Sequence, residues 1–574
     1  MWSAGCRPSI LQHAPRNRGV SACTAPFITT PMPRPLVLLV CLPLTLSAQG
    51  DPGFARRVDS LFSQWSTTTP GCAVGVARGG RVLLTRGYGM ANLEYGVSLG
   101  ADAVLESGSV AKQFTAAALA LLHLEGKLSL DDDIRRYLPE VPAFGGQVIT
   151  IRHLLTHTSG LRDQWGLLSL TGNPPTTQVH TLPLILHLVS RQRDLNFPAG
   201  SEYLYSNTGY ALAAMIVERV SGQPLARFSQ ARFFGPMGMT RTQWRDDYQR
   251  VVPGRATAYN RRDDGSYAQL MPFTNVYGNG GLLTTVGDML TWNEALTSGA
   301  ITGGKPLVAL LEARQHLTGG QTIAYALGLS HGMWQGHRQI SHSGSTAGYQ
   351  TFLTRFPDDS VSIAVFCNAS NAAPTATALQ VAGLLMPNRA PAAPARGPAD
   401  TVRLRAVAGR YRNVASDEMA EFAVRADGLG LRAGASGGVA TLTGTVARAD
   451  NGALFEFSGA AGTREVRITD TDGVSRVFRE VVAPNAATLR LADYTGTYES
   501  PELGVRYEVR VSGSLLLLHF PPDPDQVLSP VYEDGFGASG GTVRFVRDAS
   551  GRVTEFQVFA GRVRRVRFLR VGAP

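Results

Sequence analysis

Apolar and polar positions follow three patterns along this chain, and the changes between them divide it. Residues 70–77 and 81–89 are short apolar runs on either side of Gly79-Gly80, which predicts two strands joined by a tight turn. Beyond Ser109 apolar residues recur at helical spacing, with Leu119, Leu122 and Leu124 set among alanines, and the run stops at Gly126. Residues 149–161 read as a further helix ending at its glycine. Helices dominate to about residue 300, and strands return from His342 to Asn368. A strand pair, a helical middle and closing strands predict one antiparallel sheet whose first and last strands meet, with helices around it: an α/β (α+β sandwich) domain over residues 49–386. Residues 387–400 form a Pro/Ala linker. After it the pattern becomes strict alternation with Gly-rich turns, and Leu404, Gly409 and Tyr411 recur as Leu491, Gly496 and Tyr498, an offset of 87 residues. The copies end in Val477-Phe478 and Val566-Arg567-Phe568, so two small antiparallel β-barrels or sandwiches of about equal size are expected, at 401–483 and 484–574.

Composition narrows the class. At 574 residues with 44% hydrophobic and 17% charged positions the chain can bury good cores. Its net charge of +10 comes from arginines spread without a run, which describes a solvated surface and not a nucleic-acid binder. Residues 1–31 are irregular. Residues 32–48 place Arg34 before an apolar run and Ala48 at a cleavage position, the layout of a secretory signal starting at Met32, so a secreted or periplasmic protein is expected. That run is too short to span a bilayer comfortably, and no membrane anchor is expected. Cys6, Cys23 and Cys41 fall in the removable segment. Cys72 and Cys367 lie in apolar, strand-like runs and read as two buried free thiols in preference to a disulfide.

Candidate chemistry begins with scarcity. Of 54 basic residues only Lys112, Lys127 and Lys305 are lysines, leaving 51 arginines. Arginine replaces lysine on most surfaces but does not give up its proton, so a lysine kept at 112, one turn after Ser109, is a candidate base for a serine nucleophile. Ser-x-x-Lys alone also fits an ordinary helix whose lysine reaches solvent. Two further elements supply partners. Tyr205-Ser206-Asn207 brings a phenol and an amide to a helix start, and His342-Ser343-Gly344-Ser345 opens a strand whose glycine lets a substrate backbone come close. Other signals carry less. His153 and His157 are spaced like zinc ligands, but Leu154 stands where a zinc protease needs glutamate. His331 and His337 flank a turn and read as surface. Three Gly-x-Ser-x-Gly segments, at 96–100, 434–438 and 537–541, are expected among 63 glycines. No metal or organic cofactor is called for.

These elements in this order, with residues 154–161 and 280–285, resemble the class C β-lactamase-like, penicillin-recognising serine hydrolases over about residues 55–386. That family includes D-alanyl-D-alanine carboxypeptidases, D-aminopeptidases and related esterases. The resemblance implies a β-lactamase/transpeptidase-like domain in which Ser109 is acylated, Lys112 and Tyr205 handle its proton, and Asn207, His342 and Gly344 hold substrate. It also implies an oxyanion hole from the backbone N–H groups of Ser109 and Ser345. One departure is informative: the lactamases carry Lys-Thr-Gly where this chain has His342-Ser343-Gly344, as in the peptidase branch, and a neutral histidine is a weaker carboxylate anchor. The two β-domains resemble the tail of D-aminopeptidases, where a tail loop can reach the site. The expectation is therefore an exported serine hydrolase acting on a D-residue peptide or short acyl ester. Its partners would be small-molecule or peptide substrates, cell-wall fragments among them. A class C-type β-lactamase and a non-catalytic sensor of cell-wall fragments are the alternatives.

Overall fold

Residues 72–77 are buried without a break, which explains their continuous apolar character: β1 (Cys72–Arg78) lies inside a sheet covered on both faces. The computed structural model describes residues 52–572 apart from 174–177, 391–399, 434–435, 450–451, 472, 486–488 and 522–523. The segment 32–48, expected from the sequence to be a secretory signal, and most of the expected linker 387–400 lie outside these residues. The turn at Gly79 and Gly80, both at positive φ, leads into β2 (Arg81–Tyr88). The other strands come from late in the chain: β3 (Ser330–Trp334), β4 (His337–Thr346), β5 (Tyr349–Phe356) and β6 (Val361–Cys367). The order is β3-β4-β5-β6-β1-β2, antiparallel throughout, so the first strand pairs with the last.

Helices cover both faces. On one, α1 (Pro52–Leu61) and α6 (Pro374–Gly383) set Val58, Ala378 and Val381 against Val74, Val76, Ile363 and Val365. On the other lie α2 (Lys112–Leu124), α4 (Asn207–Ser221) and α5 (Val286–Ser298), packed with Ala73, Leu353, Ala364 and Phe366. A Cβ on Gly75 would sit 3.1 Å from Leu290, so the glycine lets α5 lie close on the sheet.

Four expectations are corrected. The β1–β6 register sets Cys72 directly opposite Cys367 with Cα atoms 3.9 Å apart, and the two form a disulfide instead of staying free. The helix expected over 149–161 is only α3 (Ile151–Leu155), capped by Thr150 and ended by the left-handed turn at His157 (φ 58°). Strands return at Ser330, earlier than His342. His337 is buried, with Nδ1 2.7 Å from the Asp359 carboxylate and Nε2 2.9 Å from the Pro387 carbonyl, because β4 turns it inward.

The tail forms two closed eight-stranded antiparallel barrels, one from Gly409–Arg412 to Ser475–Val481 and the other from Gly496–Ser500 to Val563–Val571. The repeated tyrosines have a shared role. Tyr411 donates to the carbonyl of Val407 and Tyr498 to that of Tyr494, each four residues back and each at 2.8 Å, closing the corner before the first strand. The first barrel has its own core around Tyr411, Phe422, Phe455 and Phe478. The core of the second is continuous with the helical layer around α2 and α4. Among the described residues no helix is long and apolar enough to cross a membrane.

Candidate active site

Ser109 sits in a 3-10 turn (Gly108–Ala111) that runs into α2, and it is partly exposed where its neighbours are buried. Two glycines bring this turn against β4. A Cβ on Gly108, which adopts φ 51°, would meet the Ser345 nitrogen at 2.6 Å, and one on Gly344 would meet the Ser107 oxygen at 2.1 Å and the Ser109 nitrogen at 3.0 Å. Thr351 on β5 fastens the contact by donating to the Ser107 carbonyl at 2.7 Å. The amides of Ser109 and Ser345 are thereby held at one rim, the arrangement an oxyanion needs.

Lys112, the first residue of α2, is fully buried. Its Nζ lies 3.1 Å from Ser109 Oγ, 2.9 Å from Asn207 Oδ1 and 2.5 Å from the Asn279 carbonyl. Burial, reinforced by the Arg562 charge, holds its pKa well below the usual lysine value. A neutral amine has two N–H groups for the two carbonyl oxygens and one lone pair for the serine proton. The Asn207 amide is oriented by Asp163, whose Oδ2 accepts from the Asn207 backbone N–H at 2.7 Å and from Nδ2 at 2.9 Å. Asn207 Oδ1 is thus left facing the lysine.

Tyr205 is partly buried, with the Lys112 amine nitrogen 4.8 Å and the Arg562 guanidinium 4.6 Å from its ring centroid. Burial pushes its phenol pKa up. Its hydroxyl is near enough to Ser109 for the serine to oppose that rise, yet is not placed for a hydrogen bond. The His157 ring packs 4.0 Å away, its Nδ1 accepting from the Ser206 N–H at 3.1 Å, and burial keeps it neutral. His342 is held by both ring nitrogens: Nδ1 lies 2.6 Å from the Ser343 carbonyl and Nε2 2.8 Å from the Tyr325 hydroxyl. These partners assign the proton to Nδ1. Burial, with Lys112 adding to it, lowers the His342 pKa to about 4.

Ser109, Tyr205, Asn207, His342, Gly344 and Ser345 all line one cavity of about 1260 Å³, with Lys112 behind its wall. Sequence reasoning missed Asp163, the Asn279 carbonyl and Arg562, and it assigned His157 only a structural helix. Asp163 and Asn279 adjoin segments 154–161 and 280–285, so proximity to those motifs was a usable signal. Arg562, one of 51 arginines and 453 positions after Ser109, offered none.

This fold and site define a domain of the penicillin-recognising serine hydrolase type. The Beta-lactamase family profile matches residues 57–385, more than half of the chain, and the chain belongs to that family. A second profile, a domain of unknown function (DUF3471), matches residues 480–568, from the end of the first barrel's last strand through most of the second barrel. Penicillin-binding protein 4* of Bacillus subtilis (strain 168) is 30% identical over 299 residues, which are 49% of this chain and 64% of that protein. A D-aminopeptidase of Cereibacter sphaeroides (strain ATCC 17029 / ATH 2.4.9) is 27% identical over 316 residues, 55% of this chain and 60% of that one. The chain thus spans less than two thirds of the length of either relative. The octameric penicillin-binding protein homologue from Pyrococcus abyssi shares the fold, with a TM-score of 0.51 at 20% identity over 82% of this chain and 98% of that one.

Proposed function

We propose that the protein is an exported serine hydrolase that cleaves a small amide or ester, a D-residue peptide or a short acyl ester, through a Ser109 acyl-enzyme. The observation that carries this reading is the buried Lys112 amine 3.1 Å from Ser109 Oγ. Lys112 takes the hydroxyl proton as Ser109 Oγ attacks the substrate carbonyl, and the developing oxyanion turns to the amides of Ser109 and Ser345. Tyr205 gives its proton to the leaving group and regains one from the Lys112 ammonium, which returns the amine to neutral, and water then releases the acyl group. The relatives' names, a D-aminopeptidase and a penicillin-binding protein, support the substrate class. Export is supported by the apolar run 32–48 and by the Cys72–Cys367 disulfide, which suits an oxidising compartment. A lactamase role fits less well, because both His342 nitrogens are already engaged and no lysine stands beside Gly344.

Intact-mass spectrometry with a fluorophosphonate, a D-alanyl peptide amide, penicillin and a p-nitrophenyl acyl ester tests the reading. Wild type should gain one acyl or phosphonyl adduct, Ser109→Ala none, and Lys112→Ala should acylate at least 100-fold more slowly, on the scale of a lost general base. Adducts of equal yield on Ser109→Ala would refute it.

A further inference from the structure

The charge lining the cavity is unbalanced. Arg245 is paired with Glu106, and Arg476 with Glu418 and Asp470. Asp470, the one carboxylate among the described lining residues, is therefore engaged. Asp163, behind Asn207, takes its hydrogen bonds from Asn207 and Trp165. Arg562 has no carboxylate partner among the described residues, and its side chain is exposed toward the cavity.

Its position does not depend on its own side chain. Arg562 sits in the turn between the last two strands of the second barrel (Val553–Ala560 and Val563–Val571), and its carbonyl accepts from Asp163 N at 3.2 Å and Asn196 Nδ2 at 2.9 Å. On the same strand the Arg564 carbonyl accepts from Arg162 Nε at 2.9 Å, and Arg564 N donates to Asn196 Oδ1 at 2.8 Å. The backbone is clamped while the guanidinium rests on the Tyr205 ring, leaving its N–H fork for a ligand.

We propose that Arg562 is the anchor for a free carboxylate on the substrate, so that preferred substrates carry a carboxylate near the scissile bond and not a free amine. The second barrel thus completes the specificity of a site whose chemistry lies in the first domain. A planar guanidinium can take a carboxylate by two parallel hydrogen bonds, which His342 is not free to do. The inference rests on the reading of Ser109 as nucleophile.

The test is competitive inhibition of p-nitrophenyl ester hydrolysis by the full chain, comparing N-acetyl-D-alanyl-D-alanine with its C-terminal carboxamide and with D-alanine amide. Wild type should bind the carboxylate about tenfold more tightly than the carboxamide, a modest ratio because the guanidinium is exposed. Arg562→Ala should bring the two within about twofold, Arg562→Lys should restore part of the gap, and high salt should narrow it in wild type. The ratio is the readout because a general effect on Lys112 cancels from it. Equal inhibition in wild type, a ratio unchanged in Arg562→Ala, or tighter binding of the amine would overturn the proposal. If wild type neither turns over the ester nor is acylated, the hydrolase reading fails instead, and calorimetric binding of the same carboxylate and carboxamide still decides the role of Arg562.

Discussion

The two barrels share a strand plan and use it differently. In each, the turn between the seventh and eighth strands reaches the cavity. The first barrel's turn presses Val474 into a small apolar cluster with Leu317, Ile323 and Tyr325, and its Asp470 and Arg476 cancel one another. The second barrel's turn brings Arg562, a charge without a partner among the described residues, and clamps it by backbone hydrogen bonds. One turn works by keeping water off the tyrosine that holds His342. The other works through a field that reaches Lys112 and His157. A repeated fold has kept the place of contact and changed its physics, so the two turns should respond to different perturbations.

The largest expected effect lies in the docking of the second barrel. Arg162 is buried in the first domain and donates to Glu502 at 2.5 Å, to Gln192 Oε1 at 2.9 Å and to the carbonyls of Arg564 and Arg565 at 2.9 and 3.0 Å. Glu502→Ala leaves that guanidinium buried with its carboxylate gone, a change worth about 3–5 kcal/mol. Calorimetric melting should show the loss, and ester hydrolysis should fall with it as the Arg162 hold on the Arg564 and Arg565 carbonyls, beside the Arg562 turn, loosens. The corresponding charge in the first barrel, Arg476, is about a quarter exposed, and Arg476→Met should cost under about 1 kcal/mol. Equal losses for the two would erase the distinction between a docked and a rim-seated barrel.

Next in size is the apolar cover. The His342 imidazole titrates near 6.5 when unfolded and at about 4 when folded. Between those values the unfolded chain binds more protons, so stability is fully present above 6.5 and falls as pH drops toward 4, by on the order of 3 kcal/mol in all. Val474→Asn should cost about 1–3 kcal/mol at pH 7 by placing an amide in the cluster, and should also admit water around Tyr325 and His342. The folded pKa then climbs toward 6.5 and the loss on acidification shrinks. Urea unfolding at pH 7 and pH 4.5 measures both quantities. An acid loss of wild-type size in the variant would mean that the first barrel does not control the dielectric there.

The same contrast explains how much the sequence disclosed. Local patterns carried the strand hairpin, the turn-to-helix step at Ser109 and the alternation and offset of the barrels, because each depends on residues a few positions apart. The placing of Lys112 beside Ser109 is a matter of one helical turn. The convergence of Tyr205, Asn207, His342, Gly344 and Ser345 was legible only through resemblance, since nothing in their spacing forces them together. What escaped depends on tertiary register or docking. Cys72 meets Cys367 because β1 and β6 align residue for residue. His157 leaves the helix because the chain turns left-handed there. Asp163 matters because Asn207 needs its amide oriented, and Arg562 matters because a barrel turn docks on the Asp163 and Asn196 backbone and amide groups.

The smallest effect is the most specific to charge. After burial, the Arg562 guanidinium is the next influence holding the Lys112 pKa down. Removing it in Arg562→Ala makes the ammonium easier to form, so the Lys112 pKa rises and less of the amine is neutral at a given pH. The acid limb of kcat/KM for a neutral p-nitrophenyl ester should therefore move to higher pH, with the plateau reached later. Added salt should move the wild-type limb the same way and shrink the gap between the two proteins, because an exposed charge is screened. Val474→Asn should leave this limb in place, since it removes apolar cover and no charge. If Val474→Asn moves the limb and Arg562→Ala does not, the roles assigned to the two turns are reversed, and Lys112 answers to water and not to the second barrel.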